Sequence, residues 1–150
     1  MDFEDLVRIA SRSFPQNGSF ELRREQDIHK RIKESDVPDK PGVYLICGTS
    51  QGHGHLLQIG KAGTLTKDGS FKNQGLRGRL GAKQGGMRRK KFFRKEMSEL
   101  KLDSLFFYWF VTFDREVDRN VLIIPAKAEA DLLQTYFDDN GHLPDWNKTI

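Results

Sequence analysis

Apolar positions along the chain switch between helical and strand spacing. Phe3, Leu6, Val7 and Ala10 recur at helical intervals, so residues 2–12 predict a short amphipathic helix, broken by Phe14-Pro15-Gln16-Asn17-Gly18. Leu22, Ile28 and Ile32 are sparse apolar positions among charges and predict a second helix over about 21–34. Each proline of Val37-Pro38-Asp39-Lys40-Pro41 biases the residue before it away from helix, which gives an extended entry into the first strand. Two short apolar runs, 42–47 and 56–60, flank a loop rich in glycine and polar residues and predict a β-hairpin with an open tip. Gly52-His53-Gly54-His55 in that loop has no third ligand nearby, so a hairpin tip accounts for it better than a metal site. Alternation sets Gly42, Tyr44 and Ile46 on one face and Val43, Leu45 and Cys47 on the other. Tyr44 stands out, because a phenol in an aliphatic strand needs a polar partner or a task for its hydroxyl.

Residues 62–73 read as a polar loop, and 74–83 as a weak helix interrupted by Gly75, Gly78 and Gly81. Leu76 and Leu80 form its buried stripe, flanked by Arg79 and Lys83. Residues 87–100 predict another helix, with Phe92, Phe93, Met97 and Leu100 inward and Arg88, Arg89, Lys90, Lys91, Arg94 and Lys95 around the remainder. The aromatic run 105–113 has strand length and should be covered on both faces, pairing with the hairpin. A charged turn over 114–120 and a brief extended stretch over 121–124 precede Pro125, which opens a helix ending near Asn140-Gly141. The expected architecture is α+β: a small antiparallel three-stranded sheet flanked by helices over 37–150, with 1–36 as an amino-terminal helical extension packed on it.

Charge sharpens this picture. Residues 61–95 carry twelve basic side chains and one acid, Asp68, whereas 97–150 carry ten acids against five bases. Such segregation suggests a polyanion on one face, nucleic acid being the first candidate, although a solvated helix face explains charge alone equally well. No apolar run approaches the ~20 residues that span a bilayer. The amino terminus starts acidic and lacks the apolar core of a signal peptide. A single cysteine, Cys47, leaves no internal disulfide and fits a reducing cytoplasm.

Glu129 is the misplaced charge. At 100° per residue it points with Leu132, Leu133 and Tyr136, on the apolar stripe of the last helix. A carboxylate turned inward must find a cation such as Arg79, a metal or a proton.

Gly42-Val43-Tyr44, then Gln58-Ile59-Gly60 with Lys61, then Arg79 in LRGRL and Glu129 in a late helix, resemble the GIY-YIG nuclease family in motif order and spacing, over about residues 38–147. The resemblance implies a metal-dependent endonuclease that hydrolyses DNA phosphodiester bonds with a single divalent ion, Mg²⁺ or Mn²⁺, held by Glu129. Tyr44 would hydrogen-bond the attacking water and draw off its proton, a role that demands a nearby cation, for which Lys61 is the first choice. Arg79 would hold the scissile phosphate with its planar fork. Two positions depart from the family: its second triplet carries a tyrosine where this chain has Gln58, and its histidine four residues after the arginine is Lys83 here. Asn147 resembles the family's late asparagine. Arg77, Lys83, Arg88, Arg89, Lys90 and Asn147 are the expected nucleic-acid contacts. The alternative is a nucleic-acid-binding module on the same fold, its catalysis impaired by Gln58. One set of site residues means that cutting both strands takes two copies, as in a homodimer, or two binding events.

Overall fold

The computed structural model describes residues 2–84, 86–115 and 122–149, with the backbone alone at 83 and 84. In order, the elements are α1 (Phe3–Ser13), β1 (Asn17–Arg23), α2 (Ile28–Glu34), β2 (Gly42–Ser50), β3 (His53–Ala62), β4 (Thr64–Leu65), β5 (Phe71–Lys72), α3 (Leu76–Leu80), β6 (Lys83–Gln84), β7 (Met87–Arg88), α4 (Arg89–Glu99), β8 (Ser104–Val111) and α5 (Pro125–Asn140). The class is α+β, built on a four-stranded antiparallel sheet of order β1-β8-β2-β3.

The fourth strand is β1, where the sequence reads as a break and then a helix. Its Phe20 and Leu22 face the core in strand alternation, and Gly18 leaves room for the Trp109 ring opposite it. The expected helix over 21–34 survives only as α2, whose amino end is capped by the Asp27 side chain accepting from the His29 N–H at 2.9 Å. Residues 1–36 are therefore not a purely helical extension, since β1 completes the sheet. β8 is the interior strand that its aromatic content demands, between β1 and β2. The expected turn and extended stretch lie at 116–121 largely outside the described residues; Phe113 and Leu122 on either side form a β-bridge.

The hairpin is longer and tighter than its composition suggests. β2 and β3 pair as far as Ser50 and His53, so only Gln51 and Gly52 turn, both at positive φ (52° and 79°). A bulge between Ile46 and Cys47 leaves Leu57 as the extra residue, so Leu57 and Gln58 both turn to the Tyr44 side.

Two cores lie on opposite faces of the sheet. Tyr44, Ile46, Leu57, Leu105 and Phe107 pack against α2, α3 and α4 through Ile28, Ile32, Leu76, Leu80, Phe93 and Met97. Val43, Leu45, Cys47, Ile59 and Phe110 pack against α1 and α5 through Leu6, Ala10, Ala128, Leu132 and Leu133. α4 is rotated from the expected setting: Arg89, Phe93 and Met97 are buried, while Leu100 is 42% exposed. Among the described residues no helix is long and apolar enough to cross a membrane.

Candidate active site

β3 is an edge strand, and there side chains from both layers can meet. A cleft of about 490 Å³ opens at this edge, lined by Tyr44 and Gln58 from one face, Lys61 at the strand end, Arg79 of α3, Glu129 of α5 and Asn147. Residues far apart in sequence thus share one concavity. Asn73, Gln74, Gly63 and Thr64 also line it. They come from the loop after Lys61, where the short β4–β5 ribbon gave no apolar period to read.

Tyr44 forms the cleft's floor. It is 1% exposed, and its ring lies over Gly60, its cross-strand partner. A methyl built on Gly60 would collide with the Tyr44 side chain, closest to Cζ and the hydroxyl oxygen. A methyl on Gly42 would meet the carbonyl oxygen of Phe110 on β8. Both motif glycines are thereby explained by close approach rather than by backbone angle.

The cation at the Tyr44 hydroxyl is not Lys61, as expected, but Arg89. Arg89 is fully buried, and its Nη2 donates to the Tyr44 oxygen at 2.8 Å and to Gln58 Oε1 at 3.3 Å. Its guanidinium carbon also stands 5.1 Å from the Tyr44 ring centre. Arg89 is consequently unavailable as the surface nucleic-acid contact predicted from the charge run. Its place is set by α4 geometry, because it precedes Phe93 and Met97 by one and two turns on the buried stripe. Burial pushes the Arg89 guanidinium below its ordinary range, the Tyr44 oxygen opposes that, and the Arg79 charge adds to it. A guanidinium nevertheless stays protonated.

Lys61 instead faces Glu129. Glu129 is half-buried, which pushes its carboxyl above the usual range, while the charges of Lys61 and Arg79 pull it back. Among the described residues it makes no hydrogen bond or ion pair, so the ion pair with Arg79 is not formed. It is also the only acid among the described residues that line the cleft, against Lys61 and Arg79 at the wall and Arg89 beneath. That excess of positive charge suits a phosphate group.

The other predicted contacts scatter. Arg77 donates through Nε to the Val37 carbonyl at 2.8 Å and borders a separate cleft with His29 and Lys33. Lys90 pairs with Asp27 at 3.1 Å, and Arg88 is exposed ahead of α4 without lining the cleft. The Lys83 side chain lies outside the described residues.

Asn147 lines the cleft, but its amide does structural work there. Oδ1 accepts from the Ile59 N–H and Nδ2 donates to the Ile59 carbonyl, both at 2.8 Å, while the Trp146 N–H donates to the Leu57 carbonyl at 2.8 Å. The carboxyl-terminal segment thus covers the open edge of β3 on either side of Gln58. Replacing both amide bonds with a hydrocarbon orphans the Ile59 groups, so Asn147→Leu should lower stability by about 1–3 kcal/mol in urea denaturation. A wild-type midpoint would show that solvent satisfies Ile59 instead.

No family model matches this chain, nor does any curated protein or solved structure.

Proposed function

We propose that the chain is a metal-dependent endonuclease of GIY-YIG type that hydrolyses DNA phosphodiester bonds. One observation carries the reading: Tyr44, Gln58, Lys61, Arg79 and Glu129, matched in the sequence to the motifs of that family, line one cleft. The donor set fits a single hard divalent ion, because a lone half-buried carboxylate beside open volume leaves coordination positions for waters and a phosphate oxygen. Glu129 would hold that Mg²⁺ or Mn²⁺, and the chemistry such an ion supplies when bound is neutralisation of charge on the phosphate and the leaving oxygen.

The remaining work falls to the protein's own groups. Arg79 would grip two phosphoryl oxygens with its fork, and Lys61 would add charge at the same wall. Tyr44, ionised, would take the proton of the attacking water as the new bond to phosphorus forms and the bond to the 3′ oxygen breaks. Solvent would return a proton to that oxygen. Gln58 stands where the family has its second tyrosine; an amide can position a water or a phosphate but cannot accept a proton in this way. That substitution is what favours the second reading, a DNA-binding module with impaired cleavage.

Supercoiled plasmid separates the two. The protein with Mg²⁺ is expected to convert it to the nicked form, EDTA to stop the conversion, and rising salt to weaken association steeply as counterions are released. Salt-dependent binding without nicking supports the module; absence of both removes nucleic acid as the partner.

A further inference from the structure

We infer that Arg89 is a positioning residue for the proposed reaction: from beneath the cleft it fixes the Tyr44 phenol and the Gln58 amide as one unit facing the substrate. The inference rests on the nuclease reading for its purpose, but its geometry stands apart from that reading.

Arg89 is the largest fully buried side chain of the described residues. Its location opposes stability on three counts. It is a charge removed from water, it sits at the first position of α4 where the helix dipole is already positive, and it feels the like charge of Arg79. The acceptors it reaches among the described residues include Tyr44, Gln58 and the Leu80 carbonyl (2.8, 3.3 and 3.5 Å), all neutral in the phenol form. Apolar residues fill such positions at lower cost, and breaches of local preference of this kind concentrate at functional sites.

The consequence for Tyr44 is geometric. Arginine has donors only, so the Tyr44 oxygen must be the acceptor. In the neutral phenol the single O–H therefore turns away from Arg89, towards the cleft that Tyr44 lines. In the ionised phenol the same oxygen keeps the Arg89 bond and offers the cleft a lone pair. Either form presents one fixed oxygen to a bound water. The same donor settles the amide of Gln58, whose Oε1 must face Arg89. The bulge at Leu57 brings Gln58 within that reach. A tyrosine at 58 would need its own place for a ring; glutamine with Arg89 forms a polar floor without one.

The test uses the full chain carrying isotope-labelled tyrosine, with the Tyr44 Cζ resonance assigned by Tyr44→Phe. Arg89→Met should displace that resonance and lower the nicking rate at saturating plasmid by about 10²-fold, with KM changed less than about twofold, because a positioning loss acts on the chemical step. Arg89→Lys, which keeps the charge and a donor group but loses the planar fork, should recover part of the rate. An unmoved resonance, or a folded Arg89→Met protein that nicks at the wild-type rate, overturns the inference. If the wild type does not nick with any divalent ion, the nuclease reading fails, and the hold of Arg89 on Tyr44 is decided by the resonance alone. Should neither variant fold, the wild-type protein decides: slowly exchanging guanidinium protons showing proximity to the Tyr44 ring support the inference, and their absence overturns it.

Discussion

Glu129→Gln is expected to lower metal-dependent nicking by about 10²–10³-fold, the scale on which loss of one charge-stabilising group acts, while making the folded protein more stable at neutral pH. The two effects have one cause. Burial raises the Glu129 carboxyl above its ordinary value of 4.5, and the attraction of Lys61 and Arg79 only partly offsets this. The folded state therefore holds the Glu129 proton to a higher pH than the unfolded chain does. Between the unfolded and folded values the native form binds more protons, so stability falls as pH rises through that window. Above it the ionised carboxylate is a standing cost, which glutamine removes at nearly the same volume. The Tm advantage of Glu129→Gln should accordingly be full at neutral pH and vanish in acid, where both side chains are uncharged. Thermal melts across this pH range, beside plasmid assays, check both. A variant that nicks normally removes the proposed metal role; one that is destabilised at neutral pH means that the cations outweigh burial.

This coupling also bears on what the sequence discloses. Glu129 was legible because a charge on an apolar stripe breaks the helical pattern, and the structure places it at the cleft. Arg89 carries the same signal, one and two turns before Phe93 and Met97, but it is hidden inside a run of four basic residues, Arg88 to Lys91, that reads as a solvated face. Pattern arguments lose power where the anomalous residue resembles its neighbours. β1 was obscured differently. Phe20 and Leu22 alternate over a strand too short to outweigh the charges after it, and only pairing with β8 makes it a strand. The hairpin, β8 and α5 were legible because apolar runs and an αL cap at Gly141, φ 74°, announce them. Asn147 was found by motif, but its bonds to Ile59 depend on where the chain end crosses β3, which no local pattern encodes.

Gly60→Ala tests whether the phenol's position, and not merely its presence, sets the rate. Tyr44 and Gly60 are directly paired, and the ring occupies the volume that a side chain at 60 would take. The added methyl must push the ring from its seat, and the ring cannot yield cheaply because Arg89 and the sheet core hold it on the far side. Overpacking of this kind costs about 1–3 kcal/mol, so the urea midpoint should fall. Displacing the hydroxyl by the order of an ångström should also slow nicking by about 10²-fold. Tyr44→Phe provides the contrast, since it removes the oxygen without crowding: it should lose rate through the missing hydroxyl, and its stability cost comes from the buried Arg89 donor left short of an acceptor and not from collision with Gly60. Crowding further requires that the two sites couple: in a Tyr44→Ala background the Gly60→Ala change should cost much less stability than it does alone, because the ring it collides with is gone. Additive costs would mean that Gly60 serves the strand backbone and not the phenol. A Gly60→Ala protein with wild-type midpoint and rate would mean that the ring has room to move and that the cleft tolerates a displaced oxygen, which a reaction depending on a fixed Tyr44 cannot.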